Sequence, residues 1–99
     1  MSSSAKRKAR QRREKVAMLR RAQRKRCGSC GRRLAPVGAR CSAANRPTLD
    51  HVVSRAAGGA NALGNLLVMH HRCNHAKADR PPNGCELLML AAANARLGL

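Results

Sequence analysis

Apolar positions are spread unevenly along this chain of 99 residues. From 1 to 26 the residues are mainly Ala, Arg, Lys, Gln and Glu, all good helix formers, and Ser2, Ser3 and Ser4 are available as caps. Val16 and Leu19 supply only a scrap of an apolar face, with Met18 and Ala22 offset from it. That pattern predicts a partly helical arm. Residues 32–47 read as an irregular hairpin, with Pro36, Gly38 and Pro47 as turn signals. Residues 48–53, TLDHVV, alternate and carry β-branched side chains, which predicts a short strand. Leu49 and His51 are expected on one face of it, Asp50 and Val52 on the other. Residues 54–64 form a loop with Gly58-Gly59 at its tip, and 66–69 form a second apolar strand. Antiparallel pairing of the two strands is expected to bring His51 and the His70 end into one neighbourhood. A short helix is expected from 71 to 77 or 78, and Pro81-Pro82 bars its continuation. The last helix, 86–97, starts at Asn83 or Gly84 and covers the core with a stripe of Leu87, Leu88, Leu90, Ala91 and Leu97. The fold class expected is α+β, in one small domain.

Charge changes the picture. Lys and Arg number 21 against 4 Asp and Glu, a net +17, and 12 of the basic residues fall in 1–26. Such a surface repels itself unless a polyanion offsets it, so nucleic acid is the first partner expected. An anionic membrane comes second, but the chain has no Trp, Tyr or Phe to anchor at an interface. No apolar stretch approaches about 18 residues. The missing aromatics also exclude modules that stack bases on rings, so binding is phosphate-led. No apolar segment follows the basic N-terminus, so no secretory leader and a cytoplasmic address are expected. With that address, five Cys including a C-x-x-C pair point to metal ligation rather than disulfides.

Candidate chemistry concentrates in residues 50–77, which hold all four histidines and Asp50. Upstream, Cys27-Gly28-Ser29-Cys30 forms a knuckle, and His70-x-x-Cys73 repeats its inner spacing. Two such pairs, 40 residues apart, point to one tetrahedral zinc on Cys27, Cys30, His70 and Cys73. His71 or Cys41 are the substitutes for His70. Otherwise Cys41 reads as a half-buried small hydrophobe, and Cys85 as a buried thiol at the start of the last helix. A core this small and without aromatics needs a staple, and zinc can supply on the order of 10 kcal/mol of folding energy. Asp50 offers a hard oxygen that suits Mg²⁺ or Mn²⁺, and an imidazole such as that of His51 can take a proton from water at neutral pH. The remaining acids, Glu14, Asp79 and Glu86, are too few for a two-metal clamp, so a single catalytic ion is expected. The plainer alternative keeps Asp50-His51 as a structural pair in a non-catalytic, zinc-stapled nucleic-acid-binding protein.

The order C-x-x-C, then DHVV with its GG loop, then GNLLVMHHRCNHAKADR, resembles the HNH endonuclease family of the ββα-metal fold over residues 27–80. The resemblance implies three parts: a basic arm (1–26), the zinc-bound nuclease domain (27–80) and a C-terminal helix packed on it (81–99). It implies hydrolysis of DNA phosphodiesters to 5′-phosphate and 3′-hydroxyl ends, with His51 as general base. Asn65 matches the middle Asn, whose side chain fixes the loop and so the histidine. Asn74 stands where the family has His, an HNN variant in which an amide oxygen joins Asp50 on the divalent ion, with His75 as the rival ligand. His70 stands where the family has Cys. Arg55, Arg72, Lys77 and Arg80 are expected on DNA phosphates near the site, with Arg7, Arg10 and Arg13 on the arm. In this fold the short helix presses on the minor groove, and sequence preference is expected to be weak. No small-molecule cofactor is implied. Small stand-alone proteins of this kind resemble those encoded by bacteriophages near DNA-packaging genes, which implies terminase partners and a bacterial host cytoplasm.

Overall fold

The computed structural model describes residues 3–99; Met1 and the candidate cap Ser2 lie outside them. In chain order the elements are α1 (Ser3–Ala22), β1 (Pro47–His51), β2 (Leu66–His70), α2 (His71–Lys77) and α3 (Gly84–Leu97), with short 3₁₀ turns at Ala43–Asn45, Arg55–Ala57 and Leu63–Asn65. This is an α+β fold built on a two-stranded antiparallel sheet.

All five positions of β2 are buried. That wall explains how α1 docks with so little apolar surface. Val16, Leu19 and Ala22 fill the gap against it, and Leu19 is fully enclosed. The arm is therefore helical through Ala22, and its last turns belong to the core. Residues 3–8 of α1 are exposed.

A strand with one partner leaves one edge of polar backbone open. Here the free edge of β2 is closed by pieces of other elements. Gln23 clasps Val68 from both sides: its Oε1 accepts from the Val68 N–H at 2.7 Å and its Nε2 donates to the Val68 carbonyl at 2.9 Å. The Gly28 N–H donates to the same carbonyl at 2.9 Å. A Cβ on Gly28 would sit 2.9 Å from the Leu67 Cβ, so only glycine lets the knuckle approach the strand this closely.

The register pairs Pro47 with His70 and His51 with Leu66. This corrects the expected closeness of His51 and His70. In an antiparallel pair the end of one strand meets the start of the next, so the two histidines stand about 13 Å apart, four residues of strand rise. The alternation along β1 is as expected, with Thr48 and Asp50 buried and Leu49 and His51 half-buried.

Helix α3 begins with a capping box. Asn83 Oδ1 accepts from the Glu86 N–H at 2.8 Å, and Glu86 Oε1 accepts from the Asn83 N–H at 2.9 Å. Its apolar stripe differs from the expected one. Leu87 and Leu88 are 48% and 74% exposed and Ala91 is exposed, while Ala93 is buried and Met89, Leu90 and Leu97 pack on the core. The inward face runs Glu86, Leu90, Ala93, Leu97, a helical spacing whose first member is a carboxylate. Two expectations about thiols also fail. Cys41 sits in an open loop and Cys85 one position before the inward face, and both are exposed.

Candidate metal centre and active site

The zinc expectation rests on four donors meeting at one point. The ligand atoms of Cys27, Cys30, His70 and Cys73 all lie within 4.8 Å of one another. His70 Nδ1 is 3.4 Å from the Cys30 Sγ and 3.9 Å from the Cys73 Sγ. Tetrahedral zinc with ordinary Zn–S and Zn–N bonds has edges of about 3.5–3.8 Å, so the spacing fits. The knuckle is shaped by its backbone: Cys27 N–H donates to the Arg32 carbonyl at 2.7 Å and Gly31 N–H to the Cys27 carbonyl at 3.0 Å. The N–H groups of Ser29 and His70 both point at the Cys27 sulfur, at 3.4 Å. The other His70 nitrogen, Nε2, donates to the Arg33 carbonyl at 3.0 Å. That bond fixes the tautomer, because a carbonyl only accepts, and it leaves the Nδ1 lone pair facing the sulfurs.

Crowding these groups sets their thiols apart. Cys73 is pushed up to about 12, by burial first and then by the neighbouring Cys27 and Cys30. Burial raises Cys30 too, but hydrogen bonds from the Arg32 backbone and the neighbouring thiols outweigh it and carry that group below its ordinary value. Zinc, which wants thiolate and neutral imidazole, suits this donor set. His71 is not part of it. Its Nδ1 lies 3.5 Å from Arg46 Nη2, and its ring stacks on His75 with centroids 6.3 Å apart.

The second cluster lies at the far end of the sheet, where β1 runs into the Gly-rich loop under α2. Asn65 ties the loop down. Its Oδ1 accepts from the Val53 N–H at 3.0 Å, and its Nδ2 donates to the carbonyls of Val53 at 3.0 Å and Ala60 at 2.8 Å. Within that loop Asn61 holds His51: Nε2 of the ring lies 3.0 Å from the Asn61 Oδ1. Sequence reasoning missed Asn61. Its only signal was a polar side chain in the stretch 56–64, which is otherwise Ala, Gly and Leu.

Asn74 reaches β1 from α2, with Nδ2 donating to the Thr48 hydroxyl and the Leu49 carbonyl, each at 3.1 Å. One turn along α2, Lys77 reaches Asp50, with Nζ 3.3 Å from Oδ2. Asp50 and Asn74 thus line the same β1–α2 interface, each with a different neighbour. Lys77 itself is 1% exposed, which corrects its expected place on DNA phosphate: the ammonium is enclosed with Asp50 instead. Burial raises the Asp50 carboxyl above its ordinary value, and Lys77 only partly opposes the rise. Its Oδ2 is buried and accepts no hydrogen bond. Asp50 and the Asn74 Oδ1 are the hard oxygens this interface could offer to a divalent ion, although the Lys77 ammonium already neutralises the Oδ2 side of the carboxylate. His75, stacked on His71, belongs to the other side of α2.

The HNH endonuclease family model matches residues 27–80, more than half of the chain. The chain belongs to the HNH endonuclease family. Neither the curated proteins nor the solved structures yield a match. In this HNH domain the matched segment begins at the first zinc-type cysteine and ends at Arg80, so it spans both clusters. Membership implies nuclease-type chemistry with DNA as substrate and divalent metals in use.

The basic residues of the HNH domain divide by what they touch. Arg55 is exposed in the 3₁₀ turn after the loop begins. Arg72 is exposed and donates to the Asn45 side chain. Arg80 forms a two-pronged pair with the buried Glu86, at 3.1 and 2.9 Å, so its charge is matched inside the protein. Arg7, Arg10 and Arg13 are exposed along α1. No helix among the described residues is long and apolar enough to cross a membrane.

Proposed function

We propose that this protein is a DNA endonuclease that hydrolyses phosphodiester bonds with His51 as general base. The observation that carries the reading is the hold on His51. Asn61 Oδ1 accepts, so the 3.0 Å contact assigns the ring hydrogen to Nε2 and leaves Nδ1 with its lone pair. Asn65 clamps the loop that carries Asn61, so the ring is oriented before substrate arrives. Nδ1 then takes the proton of the attacking water as its oxygen meets phosphorus, and the bond to the 3′ oxygen breaks. The products are a 5′-phosphate and a 3′-hydroxyl. A divalent ion, Mg²⁺ or Mn²⁺, held by Asp50 and Asn74 would supply positive charge to the phosphate and the leaving oxygen. Zinc on Cys27, Cys30, His70 and Cys73 holds the fold and takes no part in the reaction.

Arg55 on the loop and Arg72 on α2, with Arg7, Arg10 and Arg13 on α1, contact phosphates. These contacts carry no sequence information, so cleavage is weakly sequence-dependent. One site per chain nicks one strand. The test is incubation of zinc-loaded protein with supercoiled plasmid and Mg²⁺ or Mn²⁺. Nicking by the wild type that is lost in His51→Ala supports the reading; equal nicking by both removes His51 as the base. Tight, salt-sensitive binding with no nicking under either ion favours the second reading, a zinc-stapled DNA-binding protein, to which the net charge of +17 independently points.

A further inference from the structure

Lys77 is the bulkiest side chain that the fold encloses completely. A buried ammonium is costly unless it is paired, and this one spans two consecutive residues of β1. Its Nζ lies 3.3 Å from the Asp50 Oδ2 and donates to the His51 carbonyl at 3.4 Å. One lysine on α2 therefore fastens both members of the Asp50-His51 dipeptide. The grip on Asp50 is an ion pair between an enclosed ammonium and a buried carboxylate. This is the seat a divalent cation needs if Asp50 ligates one. A carboxylate oxygen 3.3 Å from an ammonium cannot also bind a divalent ion without setting two cations against each other.

We propose that Lys77 is the resident counter-ion of Asp50, and that a divalent cation reaches this carboxylate only by displacing the Lys77 ammonium. The proposal rests on the reading of Asp50 as the ion's ligand. Without the ion, Lys77 keeps the carboxylate neutralised and the dipeptide in shape. With it, the long lysine stem carries its charge outward, as such stems do at protein surfaces. Lys77 is thus a positioning residue that sets the threshold for ion binding. It also explains why a lysine, rather than an apolar residue, occupies the enclosed face of α2.

The experiment is Mn²⁺ binding to the zinc-loaded full chain, followed by the loss of the free-ion electron paramagnetic resonance signal. Mn²⁺ prefers oxygen ligands and leaves the sulfur cage alone. Removing a like charge within about 4–6 Å should change cation affinity by about tenfold or more. Lys77→Met is expected to bind Mn²⁺ at least that much more tightly than wild type, and Asp50→Asn/Lys77→Met to lose the gain. Equal affinity in wild type and Lys77→Met overturns the proposal. Should Lys77→Met not fold, the wild type decides. Its enclosed ammonium should give a slowly exchanging ¹⁵Nζ resonance that disappears as Mg²⁺ saturates the protein. Persistence of that resonance with Mg²⁺ bound also overturns the proposal. Displacement without DNA cleavage would sink the nuclease reading and leave Lys77 in its role. Cleavage with an ion affinity indifferent to Lys77 would do the reverse.

Discussion

Asn65 holds Val53 by both of its backbone groups, the N–H on Oδ1 and the carbonyl on Nδ2, each at 3.0 Å. Such a clasp acts like a strand pair made by one side chain, and it fixes the chain two residues past His51. The Asn65 backbone adds to it, because its carbonyl accepts from the Val52 N–H at 2.9 Å. Asn65→Ala removes three side-chain hydrogen bonds in a half-exposed setting, which should cost about 1–2 kcal/mol in thermal or urea unfolding. The effect on cleavage should be larger, about 10²-fold in rate, because a displaced base loses its alignment. DNA affinity should hold, since no phosphate contact is touched. Asn65→Asp should fare no better than Ala, as its second oxygen faces the Val53 carbonyl without a proton to give. A variant that cuts at the wild-type rate would show that the loop does not position His51.

The His70 ring is held between the sulfurs and the Arg33 carbonyl, and this predicts how the zinc responds to substitution. His70→Cys replaces one soft donor by another and should still bind one zinc per chain. His70→Ala should lose zinc and, with it, the cooperative thermal transition. His71→Ala should keep zinc, since that ring faces Arg46 and His75. Chelation of the wild type should abolish the native circular dichroism signal, because zinc binding and folding are one equilibrium in a core this small. Metal content by atomic absorption and melting curves read all of these together. Retention of zinc by His70→Ala with loss in His71→Ala would invert the assignment.

What could be read from the sequence was the chemistry that comes in pairs or in alternation. Two x-x spacings of soft ligands located the metal centre, and period two put Asp50 and His51 on opposite faces of β1. What could not be read was the set of polar groups that act as core. Gln23, Lys77 and Glu86 are all enclosed, each against a partner that no helical or strand periodicity marks: the Val68 backbone, Asp50 and Arg80. No periodicity marks a carboxylate as the first member of a buried stripe, so α3 was expected to present Leu87 and Leu88 instead. Lys77 was expected at the surface for the same reason, because lysine is almost never fully buried. The arm was underestimated because an apolar face was sought on α1 alone, when the apolar surface is supplied by β2.

Leu19 tests that last point. It is fully enclosed and lies on the helix that sequence patterning treats as an arm. Leu19→Ala should cost about 2–5 kcal/mol by lost transfer energy and the cavity left behind. A substitution at the exposed Leu88, such as Leu88→Gln, should stay within about 0.5 kcal/mol. Unfolding in urea of the zinc-loaded protein compares the two. If Leu19→Ala unfolds with the wild type, α1 contributes charge but no core.

Glu86 makes stability depend on pH in a definite direction. Burial by itself raises its carboxyl, but the Arg80 guanidinium, the Asn83 N–H and the Ser29 hydroxyl outweigh it and bring the group below its ordinary value. A carboxylate held lower in the folded than in the unfolded chain gives stability that is fully present above the unfolded value of about 4.3 and fades as pH falls below it. The zinc ligands also take up protons in acid, so the wild type alone does not isolate the effect. The difference between wild type and Glu86→Gln does, because the metal centre is common to both. Glu86→Gln should be less stable by about 1–3 kcal/mol at neutral pH, having lost a charged partner for Arg80 while keeping the Asn83 cap on its backbone N–H. That gap should narrow steadily as pH is lowered from about 5 towards 3, since the wild-type carboxylate becomes protonated and resembles the amide. A gap that stays constant across this range would mean that the Arg80–Glu86 pair is indifferent to folding and that α3 is held by its apolar face alone.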